Sequence, residues 1–306
     1  MTLPDTLRQN EFGFYEIKNK PTPAELRDYY AQRYYQKNLT TYQAAYPPEE
    51  LEHLEGKLRL RHWITTELRQ TATAEPAEAL ALAAGDAFLD IGCGEGWALA
   101  YFQRQGWEVL GLDFSSYSLE RFHPELRGHL RTGDLYEELQ KLADTGRQFD
   151  VLWLDNVLEH VLDPADLLRR CRALVAPNGV LMVDVPNDFS ALQQHLLTNG
   201  HINRPFWIAL PDHLSYFTPS GLRNLATATG WHTAELIGDQ PIDLNLLNPA
   251  TNYVMDRAAG PAAHRARLEQ DNLLLRTAPL PAVAAYYAGL AGVGLGRSIV
   301  AFLQPA

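Results

Sequence analysis

Residues Phe88 to Ala98 read FLDIGCGEGWA. An apolar run ends in an aspartate and an isoleucine, and glycines then take alternate positions at Gly92, Gly94 and Gly96. Glycine loses more backbone freedom on folding than any other residue, so three within five positions mark a place where something approaches the main chain closely. An apolar strand, a glycine-rich bend and then a helix bring backbone N–H groups and a helix N-terminus to a ligand.

The segments downstream set that bend in a repeating frame. AFLDIG, WEVLGLD, FDVLWLD and GVLMVDV read as buried strands, and ALAYFQRQ, SSYSLERF and PADLLRRCRALV as helices between them. This βαβα alternation predicts an α/β fold, a doubly wound parallel sheet with helices on both faces. Pro177-Asn178-Gly179 marks the turn into GVLMVDV. Residues 1–70 read as helical after a short arm. Thr22-Pro23-Ala24-Glu25 has the spacing of a capping box with Pro at the first helical position, and a second helix is expected over Pro48–Gln70. Beyond Pro186, HINRPFWIALPDHLSYFTPS reads as a structured loop, Trp231–Ile237 as a strand, Pro241–Arg276 as a mostly helical insertion and GRSIVAFLQ as a final strand. The divisions expected are an arm and helical lid (1–70), a ligand-binding core (71–237), and an insertion with a strand completing the sheet (238–306).

Composition narrows the partners. The net charge is −11. Residues 1–70 hold ten basic and ten acidic groups, so the excess lies in the remainder. No Lys/Arg-rich run offers the field that nucleic acid requires. Cys93 and Cys171 are too few for a disulfide framework and lack metal-ligand spacing, which suits buried free thiols in a reducing compartment. No charged-then-apolar leader opens the sequence and no window of ~18 uncharged apolar residues occurs, so a cytoplasmic protein without membrane attachment is expected.

The bend itself discriminates between ligands. A dinucleotide site wants G-x-G-x-x-G, and Trp97 stands where its third glycine belongs. Asp90 would repel a pyrophosphate but accept hydrogen bonds from an ammonium group. A ligand with a zwitterionic amino-acid end fits, as in S-adenosylmethionine. With Asp90, Gly92, Gly94 and Gly96 the sequence resembles the class I S-adenosylmethionine-dependent methyltransferases, most nearly the subgroup holding the ubiquinone-biosynthesis O-methyltransferases. The resemblance spans about Asp86 to Ile237. It implies that Asp113, seventeen residues after Gly96, binds the ribose hydroxyls, and that Gly133-Asp134-Leu135 meets the adenine. It implies further that FDVLWLDNVLEHVLDP, through Asp155 and Asn156, holds the methionine part. The Rossmann-like methyltransferase fold it implies has seven strands, the last antiparallel, and an N-terminal helical lid, with Tyr34 and Tyr35 as covering residues. S-adenosylhomocysteine would be the product.

Methyl transfer is an in-line displacement that needs alignment and a dry site, and an oxygen acceptor also needs its proton removed. His160, His201 and His213 are the candidate bases. Two have a plainer alternative, packing or capping for His160 and a hydrogen-bonded structural role for His213, while His201 lies in the polar segment His201-Ile202-Asn203-Arg204-Pro205, which is hard to explain as core and reads as a substrate contact. Asn203, Arg204 and Tyr216 are candidate acceptor contacts, and no required metal is expected. The arm EFGFYEIKNKPTP, HINRPFW and GLGRSIVAF are similar to surface-glycan and sugar-modifying methyltransferases, which implies a sugar or sugar-phosphate hydroxyl, with Arg204, Arg297 and Lys18 or Lys20 available to a phosphate. The reading is O-methylation of a polar small molecule, a saccharide. The alternatives are a phenol, quinone-type ring or amine as acceptor, a nucleotide-dependent oxidoreductase, and a non-catalytic cofactor-binding module. The 241–276 insertion is a candidate surface for a homodimer or a substrate cover.

Overall fold

In the computed structural model, residues 5–29, 45–73 and 86–306 are described. Tyr34 and Tyr35, expected as cofactor cover, lie outside them. The apolar runs build one seven-stranded sheet of order β5-β4-β3-β6-β7-β10-β9. Its strands are β3 (Ala87–Ile91), β4 (Glu108–Asp113), β5 (Leu130–Thr132), β6 (Phe149–Asp155), β7 (Val175–Pro186), β9 (Trp231–Gly238) and β10 (Ser298–Pro305). Strands β3 to β7 pair in parallel, and β10 runs antiparallel to both its neighbours, as the resemblance implies.

Side chains alternate across a strand, so consecutive apolar residues enter different cores. Leu89, Leu152 and Leu181 face one core with Leu139 and Leu142 of α5 (Leu135–Asp144), Leu167 and Leu168 of α6 (Pro164–Leu174), and Leu225 of α8 (Pro219–Ala228). Phe88, Trp153 and Met182 face the other. They pack with Leu60 and Ile64 of α2 (Pro48–Thr73), Phe102 of α3 (Trp97–Arg104) and Tyr287 of α10 (Leu280–Gly292). Burial on both faces explains why these strands read as unbroken apolar runs.

The arm departs from expectation. Instead of leading straight into helix, it forms a hairpin of β1 (Leu7–Gln9) and β2 (Tyr15–Ile17). Strand β2 also pairs with β8 (Ser215–Tyr216) inside the expected loop. A third apolar cluster joins this small sheet to α7 (Ala191–Thr198) and to Leu246 and Val254 of the insertion. The capping box at Thr22 and Glu25 forms: Thr22 N donates to the Glu25 carboxylate (2.8 Å) and Glu25 N to Thr22 Oγ1 (3.3 Å), opening α1 (Pro23–Tyr29). Pro177-Asn178-Gly179 lies within β7, where the register against β6 shifts, rather than before the strand. The insertion consists of three short 3₁₀ turns and the helix α9 (Gly260–Thr277). No helix among the described residues is long and apolar enough to cross a membrane.

Candidate active site

Parallel strands place their carboxyl ends along one edge, where β3, β4, β6 and β7 present Asp90, Asp113, Asp155 and Asp184. At the bend, Gly92, Gly94 and Gly96 have φ of 77°, 51° and 83°, a region that disfavours side chains. A Cβ on Gly92 would lie 2.5 Å from Val157, so that glycine also permits packing. Among the described residues, no atom outside the bend lies within 4 Å of that position at Gly94. There the main chain is bare toward open space, as close approach of a ligand requires.

Asp113 fixes the bend as well as ending β4. Its Oδ2 accepts from Gly94 N (2.8 Å) and its Oδ1 from Ser115 N (3.1 Å). A carboxylate oxygen accepts more than one hydrogen bond, so these contacts orient Asp113 without exhausting its capacity for ribose hydroxyls. Asp134 caps α5 through Oδ1, which accepts from Tyr136 N (3.0 Å) and Glu137 N (3.2 Å). Its neighbour Leu135 packs on the core. The acidic residue followed at the third position by Glu137 was a capping signal legible in the sequence.

At the end of β6, Asn156 adopts a left-handed φ of 54° and donates from Nδ2 to Asp155 Oδ1 (2.7 Å). Arg61 of α2, which the sequence reading missed, is buried and donates to Asp155 (2.6 Å) and Asp184. That pairing holds the Asp155 carboxyl below its ordinary proton affinity, although burial opposes it. Asp90 has the reverse balance: burial, then Asp155 and Asp113, raise its pKa well above the usual range. This concentration of acids suits a ligand that carries an ammonium and a sulfonium.

Beyond β6 the edge changes character. His160 Nδ1 donates to the Asp212 carbonyl (2.8 Å), which leaves Nε2 as the basic nitrogen. Its ring meets that of His213 edge to face, centroids 4.9 Å apart. Burial lowers the pKa of both. For His213, burial with His160 and Arg297 takes it to about 4. Tyr216, expected to touch the acceptor, is instead fully buried and donates from its hydroxyl to the His213 carbonyl (3.1 Å).

Glu159 completes this cluster. It is 1% exposed, neither carboxyl oxygen has a hydrogen-bond partner among the described residues, and burial raises its pKa well above the usual range. One ligand atom each from Glu159, His160 and His213 lie within 4.8 Å of one another, a donor set able to hold a metal ion that the sequence reading did not foresee.

Three further candidates, His201, Asn203 and Arg204, lie in the segment that follows α7. His201 stacks on His195 at 5.9 Å and uses its carbonyl to accept from Asn252 Nδ2. Asn203 and Arg204 are exposed and contact each other (3.3 Å). Lys20 is tied to Glu16 and to the Leu162 carbonyl rather than presented to a phosphate.

The fold and the glycine bend define a class, and comparison with known proteins agrees. Residues 60–236 match the family model described as "Methyltransferase domain", so the chain belongs to that family and is an S-adenosylmethionine-dependent methyltransferase. The bare Gly94 main chain, the fixed Asp113 and the acidic edge fit that cofactor. The family assignment displaces the oxidoreductase and scaffold readings. Among curated relatives, the ubiquinone biosynthesis O-methyltransferase of Roseobacter denitrificans is 30% identical over 188 residues, covering 58% of this chain and 72% of that protein. That of Ralstonia nicotianae is 29% identical, covering 65% and 87%. The mitochondrial enzyme of Arabidopsis thaliana is 33% identical, covering 56% and 52%, so some relatives are matched over only about half their length. The plantazolicin methyltransferase BpumL, solved with a triazolic desmethylPZN analog and SAH, superposes with a TM-score of 0.50 at 16% identity, covering 92% of this chain and 95% of that one. This last likeness shows the fold.

Proposed function

We propose that the protein O-methylates a phenol- or quinone-type ring, with the pair His160 and His213 receiving the acceptor proton. The saccharide reading gives way to this alternative because the curated relatives above are named for ubiquinone biosynthesis. The observation that carries the proposal is the pair of neutral imidazoles at the carboxyl edge. A neutral imidazole can accept a proton, and a phenol, whose ordinary pKa is about 10, gives its proton up far more readily than an aliphatic hydroxyl does. The half-buried ring of Phe206 lies under the Arg297 guanidinium at 5.7 Å, an aromatic and cationic pair beside which a flat acceptor could pack.

When bound, S-adenosylmethionine supplies an electrophilic methyl carbon and leaves as S-adenosylhomocysteine. The bend at Gly92, Gly94 and Gly96 would let its amino-acid end lie close against the main chain, and Asp113 would orient its ribose. His160 Nε2 takes the hydroxyl proton while Nδ1 stays bound to the Asp212 carbonyl, so the ring does not turn as its charge changes. The Glu159–His160–His213 donor set favours a second reading, in which a divalent cation held there would lower the pKa of the phenol and take over from the base.

Turnover on catechols, hydroquinones and simple phenols, measured against sugar nucleotides and amines with product mass analysis, tests the acceptor. Methylated sugars without methylated phenols overturn it. Chelation followed by divalent-cation titration separates the two mechanisms: unaffected turnover leaves the histidines as bases, and loss restored by a metal assigns the step to the cation.

A further inference from the structure

Arg297 precedes β10, and the antiparallel pairing of Ser298 with Pro186 puts it at the same carboxyl edge as the histidines. Its backbone is pinned on both sides: the N–H donates to Asp239 Oδ1 (2.6 Å) and the carbonyl accepts from Asn187 N (2.9 Å). Its Nη1 donates to Asp188 Oδ1 (3.2 Å), and the guanidinium lies over the Phe206 ring. No other acceptor engages Nε and Nη2 among the described residues, and a quarter of the side chain (26%) remains exposed. The charge reaches His213, whose protonation it opposes.

Asp188 is 1% exposed in its side chain and its Oδ2 has no partner among the described residues. A carboxylate so buried is in place to hold a cation, and Arg297 is the cation it holds. Asp243 stands nearby but is occupied, accepting from Gln193 Nε2 (3.2 Å) and Tyr253 Oη (2.7 Å). The guanidinium is therefore anchored through Nη1, with Nε and Nη2 unengaged among the described residues, over an aromatic face and within electrostatic reach of His213. A phenol packed beside the Phe206–Arg297 pair would bring its oxygen to that fork.

We propose that Arg297 contacts the reacting oxygen of the acceptor and stabilises the oxyanion that develops as the proton leaves, with Asp188 as its positioning residue. This rests on the phenolic reading above. In the balanced step, the acceptor O–H bond breaks with its proton passing to histidine, the oxygen–methyl bond forms, and the sulfur–methyl bond breaks with its electron pair staying on sulfur. Arg297 takes no proton. It donates hydrogen bonds to an oxygen whose charge is greatest midway, where a fixed cation contributes most.

The test compares wild type, Arg297→Gln and Arg297→Lys on phenols graded in acidity at fixed pH, with S-adenosylhomocysteine affinity measured by calorimetry. Removing one oxyanion donor costs about 100-fold in turnover. In Arg297→Gln that loss is expected with weakly acidic phenols and should shrink below about tenfold with nitrophenols already ionised in the assay, at unchanged affinity for the product. Arg297→Lys keeps the charge and should restore most of the rate on weak acids, which also tests the idea if the glutamine variant fails to fold. An equal loss across the whole series in Arg297→Gln, or a lysine variant as steeply dependent on acidity as a neutral one, overturns the assignment. If wild type methylates no phenol, the phenolic reading falls and this inference falls with it.

Discussion

His160 and His213 meet edge to face at 4.9 Å, although one follows β6 and the other precedes β8. What joins them is backbone: Leu214 N donates to the Glu159 carbonyl (2.8 Å), so the two segments are laced together beside the rings. The hairpin contributes too, since Ile17 N donates to the Leu214 carbonyl (3.0 Å). The N-terminal arm thus supports the wall that carries His213.

If His160 is the base, His160→Gln should lower turnover by about 100-fold, within the range for loss of general-base catalysis. His213→Gln should cost less, because the proposed acceptor nitrogen is on His160. Calorimetry with S-adenosylhomocysteine should find both variants binding as wild type does. Wild-type turnover in both would dismiss these histidines from the chemistry.

Gly94 and Gly106 allow a controlled comparison. Both have positive φ, 51° and 87°, and at neither would a Cβ meet an atom of the other described residues within 4 Å. Alanine at either should cost about 1–2 kcal/mol of stability from the left-handed backbone alone. Only Gly94→Ala should also weaken S-adenosylhomocysteine binding, because only there does the added methyl project where the cofactor lies. Equal affinity in the two variants would move the ligand away from the bend.

Local and long-range features were unequally legible in the sequence. The bend, the acid ending β4 and the strands β3, β4, β6 and β7 were readable because each is a short-range pattern of glycine, acid and apolar run, whereas the three-residue β5 was not. Arg61, Glu159 and the Asp188–Arg297 pair were not, since their meaning comes from contacts between segments far apart in the chain. The hairpin was missed because strands of three residues are too short to display a period of two. Tyr216, a candidate acceptor contact, is buried by the pairing of its strand with Tyr15, a long-range contact that the local sequence does not announce.

Arg61→Met should be among the most damaging substitutions. It leaves Asp155 and Asp184 facing each other without the buried cation that both now contact. Breaking a buried ion pair from one side costs about 3–5 kcal/mol. Adding Asp184→Asn to that variant should recover part of the loss, since it removes one stranded charge. A urea-unfolding double-mutant cycle measures this, and strict additivity would show that the pair is not coupled.

The pH dependence of stability carries two opposing contributions at this edge. His213 is held neutral, with its pKa lowered to about 4 by burial, so between there and its ordinary value near 6.5 the unfolded chain binds more protons. That makes stability fall as pH drops through this window. Asp188 is pushed up to about 7 by burial, with Arg297 opposing, so between about 4 and 7 the folded chain binds more protons. Its contribution is present below the ordinary carboxyl range and is lost as pH rises toward 7. The two slopes have opposite sign and partly cancel. Asp188→Asn removes one of them, so the gain in thermal stability from pH 4.5 to 6.5 should be steeper in the variant, by about 1–2 kcal/mol across the window after allowance for solvent screening. Denaturant melts of both proteins at several pH values decide it. Parallel profiles would mean that Asp188 keeps an ordinary carboxylate pKa in the fold and that Arg297 compensates its burial in full.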